Sequence, residues 1–294
     1  MAAQVTDVFR DASQLWRNWQ QVFPRCDQRD CRAGRNLWFR LWRKYRGVRM
    51  RNTWYCTIDC FEKAAGQLFV EMMEGTLEQP EVKHRVPLGL LMVSRGQLQP
   101  EQLGRALDEQ RLAGHGKLGQ WLQQLGFSTE QQVTASLALQ WACPVFPLQG
   151  SVVPACAQML PLPLLEAFRM MPVYYVGATR SLYIGFAEKV DYLMLSHIER
   201  MLDCKTQPCV VSPKALARIL ERLGEKPRAS EVRFAAAMDA DEMARITRGY
   251  VAKLGAEEVR STAYGDYLWL RLLHGRNATS LLFRRARLPG TAVD

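Results

Sequence analysis

Between Pro87 and Gln140 the pattern of apolar and polar positions repeats itself at an offset of 30 residues. Leu88-Gly89 recurs as Leu118-Gly119, Gly96 as Gly126, Gln102 as Gln132, Leu107 as Leu137 and Gln110 as Gln140. Met92/Leu122 and Leu103/Val133 are apolar matches at the same offset. Each unit predicts a short helix stopped by glycine, at Gly96 and Gly126, followed by a second amphipathic helix. Pro100 suits the first position of one second helix, and Thr129 with Gln132 forms a capping-box pattern at the start of the other. A duplication of this kind predicts two similar helical hairpins packed together.

The pattern changes after residue 145. The segment LPLPLLEAFRMMPVYYV, a turn at Gly177–Arg180 and SLYIGFA lead into a helix, DYLMLSHIERMLD. A strand, TQPCVVS, and an amphipathic helix, PKALARILERL, follow, so this stretch predicts a small α/β unit. Residues 230–286 predict a strand, EVRFAAAM, then a helix capped by Asp239 and stopped by Gly255. A hairpin of EEVRSTAY and YLWLRLLH turns near Gly265-Asp266, and LLFRR adds a further strand. At the other end, Val5, Phe9, Leu15, Trp16, Trp19 and Phe23 predict a short amphipathic helix. Between 37 and 60 the pattern predicts a helix or strand, a turn at Gly47, and a strand through Trp54–Tyr55; a helix, FEKAAGQLFVEMMEG, follows Cys60.

Charge is distributed unevenly over these segments. The 294 residues carry a formal +10, but residues 1–51 hold twelve Lys/Arg against four acids, so eight of the ten net charges lie there. The rest of the chain is close to neutral. Hydrophobic residues at 48% and charged residues at 23% are globular proportions. The stretch Gln131–Leu165 has no charged side chain, but Pro144, Pro147, Pro154, Pro161 and Pro163 exclude a membrane helix. The N-terminus lacks the apolar run of a signal peptide, and the chain reads as cytoplasmic.

In that compartment cysteines serve as metal ligands or buried thiols rather than disulfides. Cys26 with Cys31 and Cys56 with Cys60 form two pairs, the arrangement in which thiolates converge on a structural zinc. Four small core residues and a redox role are the alternatives. Cys204 and Cys209 have no second pair beside them and read as buried thiols. Five of the eight tryptophans (Trp16, Trp19, Trp38, Trp42, Trp54) are interleaved with arginines in the same N-terminal region. Such a surface suits stacking on bases and pairing with phosphates, while a small aromatic core or a docking face for an acidic protein uses the same residues.

The duplicated units, VPLGLLMVSRGQLQPEQLGRALDEQ and KLGQWLQQLGFSTEQQVTASLALQ, resemble the tandem motif of the N-terminal domain of type II secretion and type IV pilus assembly ATPases, the GspE N-terminal or MshEN domain. The resemblance continues through CPVFPL at 143–148 to about residue 222. It implies a helical part followed by a small α/β part, and in some members a cyclic di-GMP site. Carried over, that site comprises Leu88, Gly89, Met92, Gly96, Leu98, Leu103, Leu107 and Gln110 in the first unit. In the second it comprises Lys117, Leu118, Gly119, Leu122, Gly126, Val133, Leu137 and Gln140. Glycine next to a helix start lets backbone approach a ligand closely, and helix N-termini favour phosphate. The motif-opening arginine is Pro87 in the first unit and Lys117 in the second; Ser128 replaces a leucine, and the spacer Arg111–Gly116 is six residues where five are usual. Arg85, two residues before Pro87, is the candidate substitute.

The motor domain of those ATPases is not foreshadowed: no G-x-x-x-x-G-K-[ST] occurs, nor a nucleophile elbow, H-E-x-x-H or paired catalytic carboxylates. The expected architecture is α+β and modular. A zinc-ribbon or treble-clef-like four-cysteine module spans 1–83, a helical tandem-motif subdomain 84–145, an α/β subdomain 146–225, and a small β-α-β-β tail 226–294. The expected function is a non-catalytic regulatory or adaptor protein that binds cyclic di-GMP and docks to secretion or pilus assembly proteins, without membrane insertion. A zinc-dependent nucleic-acid-binding protein acting through residues 25–60 is the alternative.

Overall fold

Strands β1 (Val48–Met50) and β2 (Thr53–Tyr55) meet in a two-residue turn whose central residues, Arg51 and Asn52, both have positive φ, 48° and 68°. This mirror-image turn matches the right-handed twist of the strands, and the Thr53 hydroxyl donates to the Met50 carbonyl at 2.6 Å. The turn predicted at Gly47 is therefore four residues later. Gly47 itself lies against Trp54, where an added Cβ would come 2.2 Å from the indole Nε1. Helix α1 (Ile58–Glu74) starts before Cys60: the Thr57 hydroxyl accepts the Cys60 N–H as N-cap. The computed structural model describes residues 25–28, 30–31, 47–75, 85–148, 153–225 and 227–285. The amphipathic helix expected over 5–23 lies outside them, as do Trp16, Trp19, Trp38 and Trp42.

The chain divides into two compact units, residues 1–77 with 229–294, and residues 78–228. In the first, a six-stranded sheet has the order β2-β1-β7-β8-β9-β6, with β6 (Glu231–Ala237), β7 (Glu258–Tyr264), β8 (Tyr267–His274) and β9 (Asn277–Arg284). β7, β8 and β9 form an antiparallel meander, while β1 joins β7 in parallel through Arg49↔Glu258 and Met50↔Val259. Helix α9 (Ala240–Leu254) carries the expected Asp239 cap and Gly255 stop. Phe61, Ala65 and Phe69 of α1 and Met243, Ala244 and Val251 of α9 share one core with Leu268, Leu270, Leu272, Leu281 and Phe283 of the sheet. The division of 1–83 from 226–294 into separate modules is thus corrected. The first segment's described hairpin and helix complete the sheet and core of the second. A two-stranded ribbon alone is marginal in water, so β1 and β2 depend on that pairing.

The second unit begins with the duplicated helices, α2 (Leu88–Ser94), α3 (Pro100–Ala113), α4 (Leu118–Gln124) and α5 (Glu130–Gln140). Their punctuation is as the repeat predicts. Gly96 and Gly126 adopt φ of 67° and 71°. Each closes the same Schellman pair, Gly96 N to Val93 O with Gln97 N to Met92 O, and Gly126 N to Gln123 O with Phe127 N to Leu122 O. The Thr129 hydroxyl accepts from Gln132 N while the Gln132 side chain accepts from Thr129 N. Residues 144–146 then run parallel to the end of β5, with Phe146 N donating to Val210 O at 2.8 Å.

A three-stranded sheet completes the unit: β3 (Met170–Val176) and β4 (Ser181–Phe186) form an antiparallel hairpin, and β5 (Lys205–Val210) lies parallel to β4. Helix α6 (Leu162–Ala167) precedes the sheet, α7 (Tyr192–Leu202) makes the β4–β5 crossover, and α8 (Pro213–Gly224) follows β5. Leu162, Leu165, Met170, Ile184, Phe186, Ile198, Val210 and Ile219 are fully buried between these layers. Cys209 is buried in β5, and burial, with the nearby Cys143, pushes its thiol up to about 12, which fits an inert core residue. Cys204 is half-buried at the start of that strand.

Candidate functional site

The two repeats pack about a local pseudo-twofold. An added Cβ on Gly89 would lie 2.5 Å from Leu103 Cδ1 and 3.1 Å from Leu118 Cδ2. On Gly119 it would lie 2.8 Å from Val133 Cγ1 and 3.7 Å from Leu88 Cδ2, the same four positions exchanged between units. The exchange extends to the glutamines. Gln110 Nε2 donates to Gly116 O at 2.9 Å, just before the second motif, and Gln140 Nε2 donates to Val86 O at 2.7 Å, just before the first. Met92, Leu98, Leu122 and Val133 form the core of the helical part, with Leu88, Leu103, Leu118 and Leu137 packed against it. Leu107 is half-buried on α3. Most of the sixteen carried-over residues therefore have a packing task, and the two motif glycines are required by close helix contact.

Seven of the sixteen also face a cavity of about 460 Å³: Leu88, Lys117, Leu118, Gly119, Val133, Leu137 and Gln140. Gly89, Met92, Gly96, Leu98, Leu103, Leu107, Gln110, Leu122 and Gly126 do not line it. The opposite wall belongs to the α/β part and holds Arg169, Glu188, Lys189 and Lys214, with Trp141 and Glu130 from α5 and its end. These residues were missed in the sequence because they belong to no motif. Their common feature is topological. Ala187–Lys189 follow β4 and Pro213–Lys214 follow β5, the carboxyl ends of two parallel strands where open α/β sheets place their ligands.

Electrostatically, four cations and two carboxylates line this cavity. Lys117 is paired with Glu188. Glu130 accepts from the Ser212 hydroxyl and from Lys214 N at 3.3 Å, with Lys214 Nζ at 3.6 Å. Burial raises the Glu130 pKa, but the hydrogen bonds from Ser212 and Lys214 and the lysine charge together outweigh it and hold the carboxyl below its ordinary value. Arg169 and Lys189 form no ion pair among the described residues. Arg85 does not face the cavity directly. It donates to Gln140 O at 3.1 Å and lies over the Trp141 ring, 3.6 Å from its centroid.

In the other unit, the sulfurs of Cys26, Cys31, Cys56 and Cys60 all lie within 4.8 Å of one another, with Cys31 and Cys56 at 3.4 Å. Cys26 is held by a bridge to Trp54, and a tight turn brings Cys31 N to Gln28 O at 3.1 Å. Cys60 stands in the first turn of α1. A tetrahedral ion with sulfur bonds of about 2.3 Å separates its ligands by about 3.8 Å, so the cluster fits a metal. Without a cation, burial and the neighbouring sulfurs push the Cys56 thiol well up, and burial raises Cys26; a bound cation reverses that sense. The four-cysteine pairing read from the sequence is thus brought together in one cluster. Trp54, the described member of the Trp/Arg series, is buried, with 6% of its surface exposed, and offers no face to a nucleic acid. The other tryptophans of the series, Trp16, Trp19, Trp38 and Trp42, lie outside the described residues. Among the described residues no helix is long and apolar enough to cross a membrane.

No family profile and no curated protein matches the chain. Among solved structures it is similar to one of MshE with cdg, at 28% identity and a TM-score of 0.38, covering 47% of this chain and 99% of that one. It is also similar to the N-terminal domain of XpsE, at 21% identity and a TM-score of 0.36, covering 50% of this chain and 98% of that one.

Proposed function

We propose that this protein is a non-catalytic regulatory or adaptor protein whose 85–225 region is a secretion-ATPase N-terminal-like domain that binds cyclic di-GMP and docks to secretion or pilus assembly proteins. The observation that carries the reading is the cavity at the start of the second repeat. Its helical wall combines the motif residues Leu88, Leu118, Gly119 and Leu137 with the Trp141 ring, and its far wall supplies cations. A cyclic purine dinucleotide needs both, apolar and aromatic surface for two bases and positive charge for two phosphates. About 460 Å³ lies within the usual size of small-ligand sites. In the other unit, zinc occupies the four-thiolate cluster as a structural ion, since four closed sulfur ligands leave no open position for substrate.

Isothermal titration of the full chain with cyclic di-GMP tests the ligand. Saturable binding tighter than about 100 μM, roughly −5.5 kcal/mol, is the expected result. No heat and no change in tryptophan fluorescence at that concentration would leave the domain a protein-contact module.

A further inference from the structure

We propose that the phosphates of the bound dinucleotide are recognised by Arg169 and Lys189 of the α/β layer, not by the residues that open the helical motifs. This inference rests on the cyclic di-GMP reading of the cavity. The motif-opening positions are compromised on their own terms. Pro87 has no donor, and Lys117 is neutralised by Glu188 across the cavity. Arg85 is not among the lining residues, and its guanidinium is engaged by the Gln140 carbonyl and the Trp141 face. Lys214 faces Glu130. That leaves Arg169 and Lys189 as the two cavity cations without an ion pair among the described residues, and both come from the sheet side.

Their placement is built into the sheet. Ala187 N donates to Arg169 O at 3.1 Å, fixing the residue before β3 beside the residues after β4. Arg169 has a φ of 47°, a left-handed state that an arginine adopts only where its surroundings hold it. The cavity is therefore a composite. The helical repeats supply an apolar wall for bases, and the carboxyl end of a parallel strand pair supplies charge for phosphate. Glu188 acts as an internal competitor, occupying Lys117 in the ligand-free protein.

The test is cyclic di-GMP titration of the whole 294-residue chain in four variants. Arg169→Gln combined with Lys189→Gln weakens binding at least tenfold and flattens its dependence on salt, while an Arg95→Ala control outside the cavity binds like wild type. Glu188→Gln releases Lys117 and strengthens binding several-fold, a gain that misfolding cannot imitate. If the double variant binds like wild type while Lys117→Ala abolishes binding, the helical motif alone holds the phosphates and the inference is overturned, with the ligand assignment left standing. If wild-type protein does not bind cyclic di-GMP, the ligand assignment and this inference fall together.

Discussion

Gly89 and Gly119 concentrate the logic of the duplicated helices in two missing methyl groups. Val133 Cγ1 would stand 2.8 Å from a Cβ at 119, and valine, branched at Cβ, strongly prefers one χ1 rotamer in a helix, so withdrawing it is costly. Gly119→Ala is expected to destabilise the second unit by about 1–3 kcal/mol in denaturant unfolding. Gly104, in the middle of α3, has no atom within 4 Å of an added Cβ, so Gly104→Ala is expected to stabilise by about 0.4–1 kcal/mol. The sequence makes the two motif glycines visible through their spacing, but their purpose is not legible there. The same Leu-Gly pair serves a ligand-facing backbone or a helix crossing, and only the neighbours Leu103 and Val133 decide. The reciprocal bonds of Gln110 and Gln140 were likewise present in the repeat as two matching letters without partners.

At the scale of elements, α5 and α8 are fastened by the Glu130 carboxylate at the α8 N-terminus. Because its folded-state pKa is depressed, the bond contributes stability that is fully present above the unfolded value of about 4.3 and is lost as pH falls through the folded value. Glu130→Gln is therefore expected to lower the melting temperature at neutral pH, and the gap from wild type should close on acidification below about pH 4. A constant gap across that range would assign the loss to packing. Elements with local signals were legible: Pro100, Thr129, Asp239 and Gly255 mark helix ends by chemistry confined to one turn. Pairings across long separations were not. Nothing in VRM or EEVRSTAY announces that Met50 will lie opposite Val259, because each short run satisfies the strand pattern alone. The far wall of the cavity was hidden for the same reason, its charges being ordinary loop residues until the sheet brings them together.

At the scale of the whole molecule, the two units are expected to respond separately to loss of metal. Zinc analysis should return about one ion per chain, lost when Cys26 and Cys31 are both replaced by serine. Chelation removes an ion whose apparent contribution is ~10–16 kcal/mol in small zinc modules, so the calorimetric transition of the first unit should drop or vanish while that of residues 78–228 persists. A single unchanged transition after chelation would exclude a structural metal. The first unit is also discontinuous in sequence: the hairpin and α1 precede the other unit, and the strands they pair with follow it. A ribosome adding ~5–20 residues per second needs on the order of 10–40 s to get from the end of α1 to β9. During that interval the inserted unit can finish folding, whereas Phe61 and Phe69 wait for a sheet not yet synthesised. Early cysteine chemistry at Cys56 and Cys60, and the exposure of that waiting helix to chaperones, are therefore set by the order of translation.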